Sequence, residues 1–223
     1  MNRKTCLAIL AAVVVALLPA SSCGTGGNYA PVINSLQAEA EWTFPSSSLE
    51  ITCNASDRDG DELTFNWSAS AGNITGSGAK VTWTAPEEIG IYYIAVVVSD
   101  GQGGNDTESI PVIVATGTLS IIENIIVTAD HKYLKETSTG YKVGKGQEYH
   151  IACNVSQNIS GEPICEWLFT GGETSGEGCN ITWTAPNTSG DVTVTSIVFD
   201  GVGNVDKKSI LLTVVSCSSC EFK

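Results

Sequence analysis

Histidine is nearly absent from this chain: His131 and His150 are the only two among 223 residues. Neither stands in a His-Glu-x-x-His pattern, and no Gly-x-Ser-x-Gly elbow or phosphate-binding glycine loop occurs. Nucleophilic catalysis is left without its usual parts, so the expectation is a protein that is not an enzyme. Glu62, Glu87, Glu88 and Glu108 can be paired on paper for glycoside hydrolysis, but that chemistry needs carboxylates about 5–9 Å apart across a cleft. Basic residues are also scarce, 11 Lys and Arg against 24 Asp and Glu, a formal charge of −13. A chain of this sign repels DNA, RNA and anionic headgroups, so no nucleic-acid partner is expected and membrane attachment has to come from an anchor. Helical periodicity is missing throughout; the charged segment from Asp130 to Glu136 reads as an extended loop or strand edge. After the N-terminal leader no apolar run is long enough to span a bilayer, Leu211 to Val215 being far too short.

The leader itself is informative. Arg3 and Lys4 precede an apolar run from Cys6 to Leu18, and Pro19-Ala20-Ser21-Ser22 supplies small residues before Cys23. Residues 1–22 therefore read as a signal peptide. The pattern resembles a prokaryotic lipoprotein signal, in which the cysteine becomes the first residue and carries lipid. Ala20 departs from the leucine usual three residues before that cysteine. The alternatives are soluble secretion after a cut near Ala20 to Ser22, or a retained uncleaved leader. Acyl chains on Cys23 would contribute about 0.8 kcal/mol per buried CH₂, enough in pairs for stable attachment. The expected location is thus outside the cell, lipid-anchored at the membrane or outer surface, with residues 23–30 as a flexible tether.

Residues 51–101 and 151–201 are two copies of one pattern at an offset of 100 with no gap. Ile51-Thr52-Cys53-Asn54 answers Ile151-Ala152-Cys153-Asn154, and Trp67 answers Trp167. Val81-Thr82-Trp83-Thr84-Ala85-Pro86 answers Ile181-Thr182-Trp183-Thr184-Ala185-Pro186, and Asp100-Gly101 answers Asp200-Gly201. A duplicated module of roughly 90–100 residues, as this offset implies, is the size of an independently folding domain. Period-two alternation runs through Leu49, Ile51 and Cys53, through Leu63, Phe65 and Trp67, and through Tyr92, Ile94, Val96 and Val98. Polar or glycine-rich breaks separate the runs, at 57–61, 72–78, 86–90 and 100–106. Short half-buried strands between turns predict an all-β chain of two tandem β-sandwiches, residues 31–116 and 117–215, with a tail at 216–223. The short link Ala115-Thr116-Gly117-Thr118 predicts a semi-rigid rod. Trp67, Trp83, Trp167 and Trp183 are the expected core anchors. Trp42 has no counterpart, position 142 being Lys142. It is the candidate exposed aromatic, with packing near the first strand as the favoured alternative.

Cysteine usage differs between the copies. Cys53 and Cys153 are equivalent and read as small buried hydrophobes. Cys165 and Cys179 replace Phe65 and Ala79 together, which predicts a disulfide, with Cys153–Cys165 as the competing pairing. Export would permit it. Cys217 and Cys220 have the spacing of a redox pair without the strand-to-helix setting, and a local disulfide or a frayed tail is the plainer reading. Zinc held by Cys165, Cys179, Cys217 and Cys220 is disfavoured by the long gap between the pairs.

Carboxylates concentrate in Asp57-Arg58-Asp59-Gly60-Asp61-Glu62, and Asp100 opens a second loop expected at the same end. Asp57, Asp59, Asp61 and Asp100 could hold Ca²⁺ in the first domain through hard oxygen ligands. The loop is no EF-hand, since its twelfth position is Ser68. In the second copy Gln157, Ile159 and Gly161 stand in place of the three loop aspartates, so either only the first copy has a site or the loop is a solvated turn. Asp100 and Asp200 can also cap their own turns at Gly101 and Gly201.

Ala30-Pro31-Val32-Ile33, Asp57-Arg58-Asp59-Gly60-Asp61, Phe65-Asn66-Trp67-Ser68, Val81-Thr82-Trp83-Thr84-Ala85-Pro86 and Val98-Ser99-Asp100-Gly101 resemble the PKD-like and related immunoglobulin-like modules of prokaryotic surface proteins. The likeness covers residues 30–115 well, and residues 117–215 follow it with the aspartate loop degraded. The resemblance implies an extracellular sandwich that spaces, adheres or assembles, with a protein partner or self-association at the cell surface. It also keeps a carbohydrate-binding module for cell-wall or environmental polysaccharide as the alternative, since the fold alone does not choose.

Overall fold

The computed structural model of the chain describes residues 27–157 and 159–216. The leader 1–22, Cys23, Cys217 and Cys220 fall outside the described residues. Among the described residues every regular element is a β-strand. In the first half these are β1 (Val32–Ala38), β2 (Trp42–Thr43), β3 (Ser48–Ser56), β4 (Thr64–Ala69), β5 (Asn73–Ser77), β6 (Lys80–Thr84), β7 (Gly90–Ser99) and β8 (Asn105–Val114). They form two sheets, ordered β1-β3-β6-β5 and β2-β8-β7-β4.

The alternation explains how the sheets meet. Leu49, Ile51 and Cys53 from one sheet and Ile94, Val96 and Val98 from the other point into one shared core. Trp83 lies at its centre, fully buried, and its Nε1–H donates to the Ala71 carbonyl at 2.9 Å. Trp67 packs against the same core while only partly buried, and its Nε1–H donates to the Gly78 carbonyl at 2.9 Å. Cys53 is buried and unpaired. The glycine-rich stretch 72–78, expected as a break, contains β5, which pairs with β6 from Asn73 opposite Thr84 to Ser77 opposite Lys80. Its glycines mark close approach as well as turning. At Gly72 (φ +83°) a Cβ would run into the Trp83 indole nitrogen and the Thr84 carbonyl, a backbone setting that glycine alone adopts without strain.

The second half comprises β9 (Gly117–Thr118), β10 (Ile122–Thr128), β11 (Leu134–Thr137), β12 (Gly140–Gly144), β13 (Glu148–Val155), β14 (Ile164–Phe169), β15 (Glu173–Ser175), β16 (Asn180–Thr184), β17 (Gly190–Phe199) and β18 (Asn204–Val215). Its sheets are β10-β13-β16-β15 and β11-β12-β18-β17-β14, with β9 alongside β18. Trp183 is fully buried and donates to the Gly171 carbonyl at 3.0 Å. Trp167 is partly buried and donates to the Gly178 carbonyl at 2.9 Å. Cys153 is buried and unpaired. The charged excursion after residue 130 is an antiparallel hairpin, β11 with β12, and β12 continues in parallel with β18. Tyr149, which replaces Leu49, pins it: the buried hydroxyl donates to the Tyr133 carbonyl at 2.7 Å and accepts from the Gly144 N–H at 2.6 Å. His131 packs edge-on against that ring, with centroids 5.0 Å apart.

The two halves are joined by more than their connector. Ile113 and Ala115 of the first half share one apolar cluster with Ile197, Phe199 and Val205 of the second, and Trp42, Ile91 and Leu168 pack around it. Lys207 Nζ meets Glu41 Oε2 at 2.9 Å across the junction. Thr116 donates both its N–H and its hydroxyl to the 202–203 turn, to the carbonyls of Gly203 and Val202, at 2.9 Å each. The short link is therefore accompanied by an apolar cluster that both halves share.

Candidate functional site

The acidic end of the first half is assembled by the loop between β3 and β4. Asp57 Oδ1 accepts the backbone N–H groups of Asp59 at 2.7 Å, Gly60 at 3.0 Å and Asp61 at 3.3 Å, which folds the loop back on itself. That folding brings one carboxylate oxygen from each of Asp57, Asp59 and Asp61 within 4.8 Å of the others. Asp57 Oδ2 is buried there with no hydrogen-bond partner among the described residues. Desolvation raises the Asp61 carboxyl above its usual range, and the charges of Asp57, Asp59 and Asp100 raise it further. Asp100 lies outside that group. Its Oδ1 accepts from Gln102 N–H at 2.8 Å and Gly104 N–H at 2.9 Å, closing its own turn.

Asp100 also reveals a feature that the repeat pattern did not suggest. Its second oxygen accepts from the Asn28 side-chain amide at 2.7 Å. In the second half the equivalent oxygen of Asp200 accepts from Asn204 at 3.0 Å, within its own loop. The position matching Asn204 is Gly104, where a Cβ would collide with Asp100 Oδ2 and Ala30. The first module thus borrows from the N-terminal segment an amide that the second carries internally. Tyr29 N–H donates to Asp59 Oδ2 at 2.7 Å, and the Arg58 guanidinium stacks over the Tyr29 ring at 4.1 Å. In the described part of the segment expected as a tether, Asn28 and Tyr29 thus contact the acidic end. The one trace in the sequence is Gly104 standing where the second copy has Asn204, and it cannot be read without knowing which segments meet.

Cys165 and Cys179 are joined as a disulfide with Cα atoms 5.0 Å apart. Cys153 lies opposite Cys179, its N–H donating to that carbonyl at 2.8 Å, yet it stays a free thiol. Both histidines make structural contacts, His131 with the Glu148 carbonyl and His150 with Thr182.

The junction carries a groove that sequence reasoning missed. One hollow of about 340 Å³ is lined by Leu36, Ala38, Pro111, Ile113, Leu168 and Ile197. A second of about 380 Å³ is lined by Trp42, Thr118, Leu119, Ser120, Val205 and Asp206. Glu41, Ile113 and Lys207 border both, so the Glu41–Lys207 ion pair crosses between them. Trp42 is fixed by β2, paired in parallel with β8 opposite Ile113. Phe44 stands edge-on to it, centroids 5.1 Å apart and planes at 71°.

With two facing sheets per half, buried tryptophans and no helix among the described residues, the chain is an all-β protein of immunoglobulin-like sandwiches. Residues 28–113 match the family model of the bacterial Ig domain. Similar solved structures include the Yersinia pseudotuberculosis adhesin InvE, at 15% identity and TM-score 0.32 over 85% of this chain and 61% of that one. The fibronectin(III)-like modules of Clostridium thermocellum CbhA align at 14% identity and TM-score 0.30, over 86% of this chain and 97% of that one. Bacteroides ovatus SGBP-B, solved with a mixed-linkage heptasaccharide, aligns at 17% identity and TM-score 0.29, over 84% of this chain and 48% of that one. The chain therefore spans less than two thirds of the adhesin and about half of SGBP-B. No curated protein matches.

Proposed function

We propose that this is a non-enzymatic lipoprotein of the cell exterior, held at the membrane through Cys23, whose PKD-like sandwiches act together as a stiff adhesive or spacing unit. The apolar cluster shared by Ile113, Ala115, Ile197, Phe199 and Val205 carries the reading, because it ties the two modules into one presenting body. The Cys165–Cys179 disulfide supports an oxidising location. Two measurements test it. Cys23→Ser should move the protein from the membrane fraction to the soluble one, and persistence in the membrane overturns the anchor. Spin labels at S77C and S175C should give one narrow distance distribution, whereas a broad one removes the stiff unit.

Calcium at the acidic end is part of the same proposal. Asp57 Oδ2, a buried carboxylate oxygen with no donor among the described residues, supports it, as do the neighbouring carboxylates of Asp59 and Asp61. A hard divalent cation would satisfy that oxygen and offset the mutual repulsion. Added Ca²⁺ should raise the thermal midpoint of the wild type and leave D59N/D61N unmoved; an equal rise in both counts against the site.

A second reading, recognition of a cell-wall or environmental glycan, is favoured by the groove beside Trp42.

A further inference from the structure

We propose that the junction groove binds a neutral saccharide chain, with the Trp42 indole as its stacking face and the Glu41–Lys207 pair as its hydroxyl-reading centre. The proposal deepens the glycan reading and is independent of the anchor.

The tryptophans separate into two kinds. Trp67, Trp83, Trp167 and Trp183 each donate their Nε1–H to a backbone carbonyl. Among the described residues the Nε1–H of Trp42 has no such acceptor, and its ring lines an open hollow. The second copy builds the same parallel contact, β12 on β18, with Lys142 in that position, so the strand pairing does not itself require an indole. Phe44, 52% exposed, extends the aromatic surface from Trp42.

Around this surface the chemistry alternates. Leu119 and Val205 line the hollow together with Trp42, as do the hydroxyl residues Thr118 and Ser120. Glu41 and Lys207 face each other at 2.9 Å where the hollows meet, with side chains 79% and 40% exposed. A carboxylate offers acceptors and an ammonium offers donors, which together can address the vicinal hydroxyls of a sugar ring. A pyranose shows apolar C–H faces and a polar rim, and this lining has a counterpart for each. A purely apolar ligand would leave the ion pair desolvated at a cost. The formal charge of −13 disfavours a polyanion. Both hollows have the volume of small-ligand sites and sit between modules, where such sites are common.

The test is calorimetric titration of the full-length chain with three hexasaccharides: cellohexaose, chitohexaose and the anionic hexagalacturonate. At least one neutral chain should bind and the anionic one should not. Trp42→Ala and Glu41→Gln should each weaken that binding about tenfold. Because Trp42→Ala could loosen the junction, Glu41→Gln serves as the variant that leaves the apolar cluster whole. D59N/D61N, at the acidic end, should bind as the wild type does. C23S should also bind normally, so a failed anchor and a failed groove give different results. Binding by none of the three, tighter binding of the anionic chain, or affinity unchanged in both groove variants overturns the proposal.

Discussion

Asp100 and Asp200 occupy equivalent positions, are both buried, and solve one electrostatic problem by different routes. The Asn28 amide is the leading cause that holds the Asp100 carboxyl below its usual range, helped by the N–H groups of Gln102, Gly104 and Gly103. At Asp200 desolvation pulls upward, but the Asn204 side chain and the N–H groups of Asn204, Val202 and Gly203 prevail, so that carboxyl is also lowered. A carboxyl whose folded value is depressed stabilises the fold above its unfolded value, about 3.9 for aspartate, and this is lost as pH falls through the folded value. Asn28→Ala should therefore lower the melting of the first module at neutral pH, and Asn204→Ala that of the second. Both penalties should fade in melts taken well below pH 4. The aspartates were legible in the sequence as turn caps. Asn28 was not, because nothing local links residue 28 to residue 100; only the folded chain brings them together.

At the scale of elements, β7 and β17 show what the repeat preserves and what it alters. Ile94, Val96 and Val98 face inward from β7, and Val192, Val194 and Val198 do so from β17, as alternation requires. Their outward faces diverge. Val97 and Ser99 correspond to Ile197 and Phe199, and Asn105 to Val205, so the second copy is more apolar where the first packs against it. The first copy answers with Trp42, Ile91 and Ile113, where the second has Lys142, Asp191 and Thr213. Departures from the repeat thus mark the interface more clearly than the repeat itself does. Phe199→Ser, which installs the first-copy residue, should cost about 3–5 kcal/mol by analogy with phenylalanine truncation. It should also speed proteolysis near Thr116; unchanged cleavage would mean that the cluster does not hold the junction. β5 was missed for the opposite reason, since its glycines read as breakers although Gly72, just before it, serves close packing against Trp83.

For the whole molecule, partly buried ionisable groups also influence one another between the two halves. Burial raises the Glu166 carboxyl above its usual range, and Tyr93 of the first module is raised by burial and then by the Glu166 charge. A carboxyl whose folded value is raised gains from protonation, so the folded assembly should become more stable as pH falls from neutral through that value. Glu166→Gln should flatten this slope and raise the melting midpoint at pH 7. A slope that persists in the variant would assign the effect to another group.

The sequence by itself determined the β-architecture, the two-fold repetition, the central tryptophans and the cysteines that differ between copies, because alternation and turn chemistry are local and write themselves along the chain. The tertiary structure decided which cysteines bond, which segment completes Asp100, and how the modules join. Those outcomes depend on groups far apart in sequence, and their partners exist only once both cores have closed.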